Sequence, residues 1–76
     1  LAALQRDIGQ YREAILIYRQ LLEQRPRQAL WWLGLAISLD QSGETEQAKE
    51  AYLQARSLPG LREDLYAYAE QRLQAL

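Results

Sequence analysis

The same residue types return 34 positions apart through most of this chain: Gly9 and Gly43, Ala14 and Ala48, Tyr18 and Tyr52, with Leu1 and Ala2 answered by Leu35 and Ala36. A recurrence of that length describes one small unit repeated and stacked, because such a unit cannot bury its apolar face alone and needs a neighbour. A further copy begins near Glu63, where Tyr66 follows Trp32, Ala69 follows Leu35 and Leu73 follows Leu39. Within each unit the apolar residues fall at helical spacing between turn residues, and nothing alternates with period two. The pattern therefore predicts an all-α chain of antiparallel helix pairs.

Five helices are expected. The first, Leu1 to about Ile8, ends at Gly9, a residue that can take the left-handed conformation closing a helix. The second runs from about Tyr11 to Gln24. Pro26 stands just before the third, roughly Arg27 to Gln41, where its missing N–H does least harm. Gly43 ends that helix, and Glu44 and Glu46 place negative charge at the positive end of the fourth, Glu44 to Ser57. Pro59 and Gly60 stop it. The last, Leu61 to Ala75, carries Glu63 and Asp64 in its first turn, a solvated pair that diverges on the helix and suits no acid–base role. Ala14, Ala36, Ala48 and Ala55 are the short side chains that let helices cross closely, with Tyr18, Tyr52, Trp32, Leu35 and Leu39 as the bulk around them. In domain terms, 1–26 is the later part of one repeat, 27–60 a full repeat and 61–76 a closing helix.

Composition narrows the function classes. There is no Cys and no His, which removes the commonest zinc ligands, the commonest general base and the best nucleophile. No enzyme, cofactor or metal site is expected, and the four scattered glycines form no phosphate loop. Nine cations against ten anions give a net charge of −1, so no overall field draws the chain to nucleic acid, and no binding to it is expected. No apolar run reaches the length that spans a bilayer. The chain is expected to be a fragment, because it lacks Met even at position 1.

Trp32, Leu35, Ala36, Leu39, Gly43, Ala48, Tyr52, Ala55 and Pro59 together resemble one tetratricopeptide repeat signature. Gly9, Tyr11, Ala14, Tyr18 and Pro26 resemble the later half of a preceding unit, and the last helix resembles the solvating helix that closes such arrays. Four positions depart from the family pattern: Ala36 for Gly, Leu39 for Tyr, Thr45 for an aromatic residue, and Pro59 one residue early. The resemblance implies a right-handed superhelical stack acting as a protein-binding scaffold. A narrower likeness rests on Trp31 to Asp40 (WWLGLAISLD), Leu58 to Leu61 (LPGL) and Gln71 to Leu76 (QRLQAL). These segments are similar to the C-terminal repeats of bacterial MSHA-type (type IV) pilus biogenesis proteins of the MshN kind. That likeness implies a periplasmic domain of an inner-membrane-anchored protein that contacts other assembly components; a cytoplasmic location is the alternative.

Stacked helix pairs curve and leave a concave face lined by the first helix of each pair. Projecting those helices gives a groove of Arg6, Leu30, Leu33, Ile37, Gln41, Tyr68 and Gln71. A family subset grips a C-terminal carboxylate through polar groups, but Leu33 and Ile37 stand where that clamp wants them, so none is expected. The apolar strip suits an amphipathic helix or an extended apolar segment of a partner, or is covered by another helix of the parent protein. Trp31 and Trp32 point about 100° apart on a helix. Trp32 is assigned to the core and Trp31 to packing on the preceding helix near Leu22, with Tyr66 inward and Tyr68 toward the groove. The competing reading is self-association, in which apolar surface at Leu1 and Leu4 docks on a second copy or on upstream repeats.

Overall fold

The computed structural model describes the backbone of residues 2–76 and the side chains of residues 10–76. Among them are four helices and no strand: α1 (Ala2–Gln24), α2 (Ala29–Gln41), α3 (Thr45–Ser57) and α4 (Glu63–Ala75). Each helix packs on the next through a short connection, so the chain is a stack of helices in sequence order. α2 and α4 start 34 positions apart, at Ala29 and Glu63, as the repeat requires.

The first two expected helices are one, because α1 runs through Gly9 without a break. A glycine inside a helix costs only about 1 kcal/mol against alanine, while starting a separate helix repeats the unfavourable nucleation step. Gly43 and Gly60 behave as the sequence indicates, with φ of 88° and 97°. At Gly43 the turn closes with Glu44 N–H donating to Leu39 C=O at 2.9 Å and Gly43 N–H to Asp40 C=O at 3.2 Å. These bonds satisfy carbonyls that the end of α2 leaves open. α2 and α4 each begin two residues later than the spacing suggests, after extended residues Gln28 and Arg62.

The core forms where α2 meets its neighbours. Ala36, Ala48, Ala55 and Tyr52 are fully buried, with Leu35, Leu39 and Ala51 beside them. Three of the four expected notches are thus closed over, while Ala14 stays half-buried. Both indoles are half-buried against this core. Gly34 shows the closest helix approach. A side chain there would meet the Tyr18 ring, whose hydroxyl lies 2.6 Å from where its Cβ would stand. Tyr18 and Gly34 have their repeat equivalents in Tyr52 and Tyr68, which meet instead as tilted rings with centroids 6.3 Å apart.

Candidate partner-binding surfaces

α2 carries two faces of different chemistry. At about 100° per residue, Leu30, Ile37 and Gln41 fall within some 40° of one another, while Trp32, Leu35 and Leu39 lie about 180° round the helix. The first set is the strip expected from sequence. Leu30 is 60% exposed and Gln41 is exposed, whereas Ile37 is half-buried against the core. Leu33 does not join them, which corrects the sequence assignment: it is only 2% exposed and belongs to the core. It lies about 60° round α2 from the strip, on the side where Asp40 reaches α4.

On α4, Gln71 is exposed and Tyr68 is 37% exposed, its ring set against Tyr52 of α3. The expected inward place of Tyr66 is also corrected. Tyr66 is 39% exposed, although Ala69 and Leu73, three and seven residues on along the same helix, are buried or packed against the core. The Arg6 side chain, and those of Leu1 and Leu4, lie outside the described residues.

A polar junction holds α4 in place beside α2. Arg72 grips Asp40 with two bonds, Nε to Oδ2 at 2.7 Å and Nη2 to Oδ1 at 2.9 Å, and the Tyr52 hydroxyl donates to Oδ2 at 3.0 Å. One carboxylate therefore ties three helices. A bidentate, charge-assisted pair has both strength and a fixed orientation. Burial holds the Tyr52 phenol far above its ordinary value, and the bond to Asp40 adds to this. That same bond to Asp40 raises Arg72, which stays charged. Every buried side-chain polar atom among the described residues has a partner. The sequence reading missed Asp40 and Arg72. The available signal was Asp40 itself, the single charged residue in Ala29–Gln41.

The second face of α2 floors a cleft of about 400 Å³ between α1, α2 and α3. Leu22 of α1, Trp32, Leu35 and Leu39 of α2 and Ala51 of α3 supply apolar surface, and Arg19, Glu23, Gln47 and Glu50 the polar groups. Arg19 Nη2 donates to Gln47 Oε1 at 2.5 Å, linking α1 to α3. The Trp32 indole N–H donates to the Pro26 carbonyl at 2.8 Å, which fixes the ring. Leu22 therefore shares the cleft with Trp32. No group of three or more acidic, His or Cys side chains among the described residues could hold a metal ion.

A family model described as tetratricopeptide repeat matches residues 6–73. Comparison with curated proteins and with solved structures returns no match.

Proposed function

Because the chain belongs to the tetratricopeptide repeat family, whose members generally mediate protein–protein contacts, we propose that it binds a peptide or protein segment along the Leu30, Ile37 and Gln41 strip of α2, with Gln71 and Tyr68 of α4 at its edge. The exposed Leu30 carries this reading. A leucine left 60% open, in line with Ile37 and Gln41 on a helix held rigidly to α4, offers an anchor point to an amphipathic helix or extended apolar segment. Tetratricopeptide repeats are typically non-catalytic, and the function proposed here is binding alone. The finer assignment, scaffolding of pilus or secretion machinery, rests on the three short segments of sequence likeness.

Selection of peptides on the immobilised chain from a displayed library, followed by affinity measurement, tests the strip. Leu30→Glu should weaken the selected peptides at least about tenfold, since a tenfold change needs only about 1.4 kcal/mol and an apolar anchor opposite a carboxylate loses more. Leu30 is exposed, so this variant keeps its fold. Peptides that bind Leu30→Glu as tightly as the original chain would place binding elsewhere.

One observation favours a second reading, self-association. Ile17 of α1 is 55% exposed, while Ala51, its equivalent 34 positions later, is 2% exposed beneath α2. The helix face that is covered in α3 is thus open in α1, and another helix, from upstream repeats or a second copy, fits there.

A further inference from the structure

We propose that the cleft between α1, α2 and α3 is a second binding site, and that it receives an arginine side chain from a partner polypeptide. It lies on the opposite face of α2 from the Leu30 strip, so the two sites can be filled together.

The floor and the charges select the ligand. Leu22, Leu35, Leu39 and Ala51 are buried and shaped into a lining that a hydrocarbon stem can cover. Trp32 lies in the same lining with its ring fixed by the bond to Pro26, and a guanidinium stacks on such a ring more readily than an ammonium does. Glu23 comes from α1 and Glu50 from α3, and neither carboxylate pairs with a cation among the described residues. Arg19, the one cation of the lining, already donates to Gln47. Two carboxylates against one engaged cation leave the cleft anionic. An acidic or purely aliphatic side chain would leave this arrangement unused, whereas arginine brings a stem for the apolar floor, a planar face for the ring and a positive charge for the two carboxylates. The volume of about 400 Å³ falls in the range of small ligand sites.

Titration of the chain with blocked glycine–X–glycine tripeptides, followed by the NMR signal of the Trp32 indole N–H, tests the proposal. The chain has two tryptophans, and Trp31→Phe assigns the signal to Trp32. With X as arginine the Trp32 signal should move saturably in the millimolar range, several-fold more tightly than with X as lysine, and raising the salt should weaken the binding. Glu23→Gln with Glu50→Gln, both exposed, should reduce affinity at least tenfold without loss of helix. Leu30→Glu should leave the titration unchanged, which separates this site from the strip. A leucine peptide that binds as well as the arginine one, an unmoved Trp32 signal, or a titration indifferent to the two Glu→Gln changes would each overturn it.

Discussion

The Asp40 carboxylate is the residue on which three helices converge, and its neighbours differ in what they lose without it. Arg72 is partly exposed and can turn to water, but the Tyr52 side chain is buried and its hydroxyl donates to Asp40. Leaving such a group unpaired costs roughly 1–3 kcal/mol. Asp40→Ala should therefore lower the unfolding free energy in urea by about that amount. Adding Tyr52→Phe should recover part of the loss, because removing both partners is nearly neutral where removing one is not. If the double variant proves as unstable as the sum of the two singles, the orphaned hydroxyl is not the cause. The same junction sets a pH sign. A phenol whose folded value is raised stabilises the fold below the unfolded value, and the contribution fades as pH rises above it. Asp40 announced itself in the sequence as a lone charge in an apolar helix. Its partner did not, since residues 40 and 72 come together only when α4 docks.

At the scale of helices, the repeat register placed most boundaries within two residues and identified both closing glycines. It failed at Gly9 because glycine permits a helix end without requiring one. Whether a helix breaks depends on whether its two halves can pack, and that is a tertiary matter. The spacing of α1 from α2 is set by a pair the sequence did not single out, Tyr18 over Gly34. Gly34→Leu puts new atoms where that ring stands and should destabilise the chain by about 1–3 kcal/mol, as overpacking does. Tyr18→Ala vacates the space, so the two changes together should cost clearly less than their sum in thermal or urea unfolding. Strict additivity would show that the ring simply moves aside.

Across the whole molecule, the stack has a well-filled middle and less covered flanks. Positions 34 apart need not share burial, as the apolar pair Ile17 and Ala51 shows. The difference predicts where a charge is tolerated. Ile17→Glu should change stability by no more than about 0.5 kcal/mol, as for an ordinary surface substitution. If the open α1 face mediates self-association, sedimentation across a concentration series should show assembly by the original chain and its loss in Ile17→Glu. A chain that stays monomeric throughout removes the self-association reading. The α2 residues named from sequence separate by the same measure. Leu30, Ile37 and Gln41 fall in line from spacing alone, whereas Leu33 was lost to the core because its 60° offset turns it toward the Asp40 side of α2.

The sequence by itself determined that the chain is helical, where most helices stop and which unit is repeated. Those properties are set by neighbours within about one turn and by a period that survives in the order of residues. Tertiary structure alone decided which copy of each repeated face is covered, which partner Asp40 finds and that Glu23, Trp32 and Glu50 line one cleft. These are contacts between separate helices, and a repeat pattern states how units resemble one another without stating which surfaces the folded stack leaves open.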